Sequence, residues 1–190
     1  MYYSIFRKFP LPLMASVVLA TTLSLSGCSD DDDDEPEVVT EPAPPPPPTY
    51  SADIQRTDYG IPHITASNYK GLGYGLGYAF AKDNICSLAR EIVVANGTSA
   101  LHLGATPGNI NSDVFYTWYN EPSRRTMLLD VQETQVRDAI QGYAAGYSRY
   151  IRDTGVDNID PACAGAAWVT EINEMDLAAV YNKGNLRGGL

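Results

Sequence analysis

The stretch Arg56–Asn84, RTDYGIPHITASNYKGLGYGLGYAFAKDN, decides the fold, because it sets a tight hairpin directly before a glycine-rich helix start. Ala52 to Thr57 and Ile61 to Thr65 are short runs that carry β-branched residues. Between them Asp58, Tyr59 and Gly60 form a turn: the Asp side chain favours it and Gly supplies positive φ. Pro62 removes a donor from the second strand, which puts that strand at an edge or beside a bulge. Asn68 is placed to cap the following helix, in which Leu72, Leu76, Ala79 and Phe80 share one face at three- and four-residue spacing. Gly71, Gly73, Gly75 and Gly77 each cost that helix up to about 1 kcal/mol relative to Ala. Close packing of another backbone accounts for such a run, with Tyr69, Tyr74 and Tyr78 supplying contact area around it. A phosphate cradle does not fit. A dinucleotide fingerprint starting at Gly73 needs glycine at position 78 and meets Tyr78, one starting at Gly71 meets Leu76, and no Gly-Lys-Ser/Thr follows.

Residues Arg56, Asp58 to Ile64, Gly71 to Ala79, Asp83 and Asn84 resemble the opening of the penicillin acylase family. A second match lies near the end, where Cys163, Trp168 and Glu174 to Leu177 are similar to a segment of the branch containing acyl-homoserine-lactone and aculeacin acylases. The resemblance covers roughly Asp53 to Leu190. It implies an α+β fold: a mostly helical α-chain with an N-terminal β-hairpin, forming part of an αββα N-terminal-nucleophile hydrolase that is incomplete here.

The first residues, MYYSIFRKFPLPLMASVVLATTLSLSGC, place Arg7 and Lys8 ahead of an apolar run from Leu11 to Leu25, the pattern of an export signal. Leu25-Ser26-Gly27-Cys28 matches the lipobox of bacterial lipoproteins, so residues 1–27 are expected to be removed and Cys28 lipidated. Ser29 after the cysteine points to the outer membrane, facing the periplasm. An ordinary signal peptide with an incidental cysteine is the alternative. Residues 28–49 hold Asp30 to Asp34, Glu35, Glu37, Glu41 and the prolines Pro42 and Pro44 to Pro48. This composition predicts an extended tether. Eight of the 23 acidic residues lie there, so the part from Tyr50 onward is only mildly acidic. It carries no basic patch for nucleic acid.

Residues 50–190 suffice for one modest core. Asp83 to Asn96 continues the glycine-rich helix, with Ile85, Leu88, Ile92 and Val93 inward and Gly97 as its stop. Thr98 to Trp118 reads as irregular, given Gly104, Pro107, Gly108 and several Asn. Asp130 to Arg152 carries Val136, Ile140, Tyr143, Tyr147 and Tyr150 or Ile151 at helical spacing, a stripe expected to face the core, and Gly155 ends it. A last helix starts near Asn173 and bears Leu177, Val180 and Tyr181 on one side.

Cys86 and Cys163 both match cysteines of the acylase branch, and an exported chain with two further thiols is expected to pair them. Two separately buried thiols are the alternative. His63 and His102 lack zinc-ligand spacing with each other or with the cysteines. His63 sits in the family's Pro-His-Ile segment with no Ser or Asp placed to complete a triad, and is expected to be structural.

The resemblance implies a self-cleaving precursor whose new N-terminal Ser, on a β-chain, attacks an amide with its own α-amine as base. That Ser normally follows Gly, in a Gly-Ser-Asn context. No Gly-Ser pair occurs in the 190 residues. The expected reading is therefore an α-chain part with no catalytic residue of its own, the β-chain of the same precursor as partner and an N-acylated small molecule as substrate. N-acyl-homoserine lactones come first, with penicillins or lipopeptides as alternatives. Val180, Tyr181 and Leu186 are expected at the acyl-pocket wall, because the late α-chain helix approaches that pocket in the family. No cofactor is expected for this chain; the resemblance allows calcium in the complete family protein, with ligands that cannot be placed in this sequence. A small surface-tethered lipoprotein acting as a binding or structural module is the competing reading.

Overall fold

Strands β1 (Asp53–Arg56) and β2 (Pro62–Thr65) pair antiparallel, with Ile54 opposite Ile64 and Gln55 opposite His63. The computed structural model describes residues 50–188, so the expected signal peptide, Cys28 and the tether lie outside the described residues. The hairpin turn closes through Gly60 N–H donating to Thr57 O at 2.8 Å, with Gly60 at φ +80° as expected. Arg56 then ties the turn to the helix beyond. Its guanidinium donates to Gly60 O at 2.8 Å and to Asp83 Oδ2 at 3.0 Å.

Helix α1 (Tyr69–Ala95) begins where Asn68 Oδ1 accepts the Gly71 N–H at 2.8 Å, and it bends at Asn84, whose φ of −144° is not helical. Gly97 stops it at φ +67°. Short helix α2 (Ser99–Leu103), α3 (Pro107–Tyr119) and α4 (Pro122–Asp130) follow, then α5 (Thr134–Thr154), a 3-10 turn (Val156–Asn158) and α6 (Glu174–Arg187). The segment expected to be irregular is thus mostly helical. Pro107 sits in the first turn of α3, where it loses no hydrogen bond, and Thr106 caps that helix from its side chain. Asp113 on α3 accepts the Ser99 and Ala100 N–H groups, both at 2.7 Å, and so caps α2 from a distance. Asp130 ends α4 rather than starting α5. Asn173 and Asp176 form a capping box at the start of α6.

The glycine run of α1 is packed from two sides. Gly71 and Gly75 face the hairpin, where a Cβ on Gly75 would come within 2.9 Å of the Ala52 Cβ. Gly73 and Gly77 face α5: a Cβ on either would lie 2.8 Å from the carbonyl carbon of Ala139 or Tyr143. Helix α5 reciprocates, since Gly142 and Gly146 lie equally close to the carbonyls of Lys70 and Tyr74. Two helices without side chains at the crossing bring Cα–H groups onto carbonyl oxygens, a weak attraction repeated four times. The expected close packing is there, on a different face from the one expected. Gly71, Gly73, Gly75, Gly77, Ala79 and Ala81 are the buried positions of this stretch, while Leu76 and Phe80 are 45% and 38% exposed.

Below the crossing the core is conventional. Ile85, Leu88 and Ile92 of α1 pack with Tyr147 and Ile151 of α5 and with Ile159, Cys163 and Val169 from the loop between α5 and α6. Cys86 and Cys163 are joined in a disulfide with their Cα atoms 5.6 Å apart. No described helix is long and apolar enough to cross a membrane.

Candidate functional site

The backbone contact between α1 and α5 leaves no room for large side chains at the crossing, so those side chains splay to its flanks. Leu76 of α1 and Val136, Ile140 and Tyr143 of α5 were expected to face the core, and Tyr147 and Ile151 alone of the α5 stripe are fully buried. The others line an open groove of about 540 Å³. Leu128 and Leu129 at the end of α4 close one side, and Leu177, Ala178 and Tyr181 of α6 close another. Only Gln132 and Gln135 bring side-chain amides to its lining. A smaller cavity of about 280 Å³ shares Leu76 and Tyr143 with the groove and runs towards Pro62, Asp83 and the α1 bend. Together they make one apolar strip from α6 to the hairpin. Burial drives the Tyr143 hydroxyl well above its ordinary pKa, so it stays an uncharged group along this strip.

The α6 wall is fixed by polar groups that no sequence pattern announced. Asn120, fully buried at the end of α3, donates to Ala95 O at 2.9 Å and to Ala179 O at 3.2 Å, and accepts from Asn182 Nδ2 at 3.1 Å. Arg125 donates to Asn120 O at 2.5 Å and to Asn96 Oδ1 at 2.7 Å, and Asn96 donates to Asp176 at 2.8 Å. Lys183, also buried, pairs with Glu91 and lies under the Tyr116 ring. Each bond crosses between elements, so α6 has one seat against α1 and α3.

Of the residues expected at a pocket wall, Tyr181 lines the groove and is 59% exposed. Val180 turns instead towards the core cluster, and Leu186 lies outside the lining. His63 is exposed on β2, paired across the sheet with Gln55. Among the described residues no group of three or more His, Cys, Asp or Glu is placed to hold a metal ion. The geometry can hold and align an apolar chain.

A profile of the penicillin amidase family matches residues 51–179. The chain belongs to that family. It is 40% identical over 145 residues to the acyl-homoserine lactone acylase PvdQ of Pseudomonas fluorescens strain Pf0-1, a match covering 73% of this chain and 18% of the relative. Identity to the aculeacin-A acylase of Actinoplanes utahensis is also 40%, over 139 residues, covering 67% of this chain and 18% of that protein. The chain thus spans about 18% of the length of the curated relatives it matches. The fold is shared with the thermostable penicillin G acylase of Alcaligenes faecalis, at a TM-score of 0.64 and 22% identity over 75% of each chain. The branch read from the sequence and the mostly helical architecture are therefore both established.

Proposed function

We propose that this chain is the α-chain part of an exported acylase that cleaves the amide bond of N-acyl compounds, N-acyl-homoserine lactones foremost. The observation that carries the reading is the apolar groove, which family membership turns into the α-chain's share of an acyl pocket. Its volume and lining suit an acyl tail with its amide at the edge, in the size range of small-molecule sites. In this reading α1 and α5 give the rigid floor, and α6 sets the wall through Tyr181 and Leu177. A β-chain then supplies the N-terminal Ser, its α-amine as base and the oxyanion donors. The chain's own work is to bind the tail, exclude water around it and hold the scissile carbonyl in register. Aculeacin-A acylase among the relatives favours a lipopeptide tail as the second substrate class for the same groove.

Each methylene buried in such a groove contributes about 0.8 kcal/mol, close to fourfold in kcat/KM. Co-expression with the β-chain of the Pseudomonas fluorescens acylase, assayed on homoserine lactones of increasing acyl length, should show that climb until the groove is filled. Val136→Trp, which fills the groove from its half-exposed α5 side, should move the optimum to shorter chains. An unchanged length profile in Val136→Trp would remove the groove from the acyl site. For anchoring, the reading takes Cys28 as a lipidated residue that holds the chain at the outer membrane. A Cys28→Ala variant that still carries lipid and stays in the membrane fraction would end that part of it.

A further inference from the structure

Helix α3 is built inside out. None of its 13 residues is buried. Its polar side meets the body: Asp113 caps α2, Tyr116 lies against Lys183, and Gly97 packs so tightly under the helix that a Cβ there would come within 2.9 Å of Asp113 O. Asn120, just past its end, is locked beneath α6. The opposite side presents Ile110, Val114 and Trp118, spaced four residues apart, with Phe115 beside them; Val114 is 70% and Trp118 61% exposed. Leu101 on neighbouring α2 is 77% exposed. Asp113 is the helix's one Asp, Glu, Lys or Arg, and its carboxylate is occupied in capping α2. An aromatic, charge-depleted face held out by polar contacts behind it has the composition of a protein–protein interface core. A lipid surface is a poor match, since membrane-lying helices carry Lys or Arg along the polar side and α3 has neither.

Chain lengths point to the occupant. More than four-fifths of each curated relative lies outside its match to this chain. The solved penicillin G acylase chain, by contrast, is covered to the same 75% as this one, so it is of closely similar length. The family thus occurs both as a long polypeptide and as a short chain of this size, whose partner is the remainder.

We infer that the outer face of α3, centred on Val114 and Trp118, is where the β-chain docks. This rests on the two-chain reading above and adds the surface that carries it. Trp118 is the anchor, with Arg124 stacked over its ring at 4.9 Å from the centroid.

The test co-expresses the full chain, tagged, with the β-chain of the Pseudomonas fluorescens acylase as the probe. Val114→Ser/Trp118→Ser should lower β-chain co-purification at least tenfold with the circular dichroism spectrum unchanged, whereas Tyr59→Ser at the exposed hairpin turn should leave it intact. Independently of any α3 variant, a Trp168→Phe chain should show Trp118 emission moving to shorter wavelength when the β-chain binds. Capture of the β-chain by the double variant at the wild-type level overturns the inference, as does failure of the wild-type chain to capture it. It is overturned equally if the chain alone sediments as a dimer that the α3 substitutions dissolve, or if it binds neutral lipid vesicles through Trp118. A complex that depends on α3 yet cleaves no N-acyl-homoserine lactone leaves the docking face standing and removes the activity reading; an active complex indifferent to α3 does the reverse.

Discussion

Tyr147 is the largest fully buried side chain among the described residues, and its hydroxyl has no hydrogen-bond partner there. A buried polar group without a partner costs about 1–3 kcal/mol of stability. Tyr147→Phe keeps the ring and removes the penalty, so it should stabilise the chain by about 1 kcal/mol in denaturant unfolding at neutral pH. The pH dependence carries a sign of its own. Burial raises the Tyr147 pKa above its ordinary value of 10.0, so the folded state holds its proton where the unfolded state loses it. Stability is intact below pH 10 and falls as pH rises above it, and Tyr147→Phe should lose less over that range. A gap between variant and wild type that stays constant, or closes, on going alkaline would show that Tyr147 is not the group responsible. At this scale the sequence was legible wherever chemistry is local: Asn68 as cap, Gly60 and Gly97 at positive φ, Asn173 at the start of α6. Asn120, Arg125 and Lys183 were not. Apart from the Arg125 bond to Asn120 O, their partners lie 25 to 92 residues away, and nothing in the neighbouring sequence marks these three as the seat of α6.

Among elements, the α1–α5 crossing governs both fold and groove. Hydrophobic spacing nominated Leu72, Leu76, Ala79 and Phe80 as one face of α1, of which Ala79 alone is buried, since glycine carries no apolar signal even when it is the buried face. Side-chain periodicity therefore pointed to the flank. The same displacement put Val136 and Ile140 on the groove. This makes most of the candidate site visible only after folding, while Tyr181 on α6 could be named from the resemblance. The α3 segment was missed for a related reason: Gly104, Pro107 and Gly108 are breakers inside a helix but lie before or in the first turn of this one. The crossing also makes two glycines behave oppositely. Gly184 in α6 has nothing within 4 Å of a built Cβ, so Gly184→Ala should gain up to about 1 kcal/mol from helix propensity. Gly77→Ala has the same propensity gain but drives a methyl into the Tyr143 carbonyl, and should cost about 1–3 kcal/mol net by prising the helices apart. Thermal melts of the two variants should shift in opposite directions. A stabilised Gly77→Ala would mean that α1 and α5 do not meet backbone to backbone.

At the scale of the molecule, the loop from Val156 to Ile172 joins the packed pair to the wall of the groove with one short 3-10 turn of regular structure. It contributes Ile159, Cys163 and Val169 to the core, and it is tied to the helices by the Cys86–Cys163 bridge, by Arg152 donating to Glu171 Oε2 at 2.5 Å and by Ser148 Oγ accepting the Ile172 N–H at 3.0 Å. The bridge closes a span of 77 residues, worth up to about 4 kcal/mol by limiting the unfolded chain. Helix α6 has separate moorings in Asn96–Asp176, Asn120–Ala179 and Lys183–Glu91. Loop and wall should therefore come apart in stability when the bridge is removed. In Cys86→Ala/Cys163→Ala, global stability should drop by up to about 4 kcal/mol, and hydrogen exchange should speed up first across 156–172. Amides of α6 from Leu177 to Asn182 should keep protection up to the new global limit. If α6 instead loses protection together with the loop, the disulfide and not the polar hub sets the wall of the groove, and Asn120 would have to be reassigned from seating α6 to filling space beneath it.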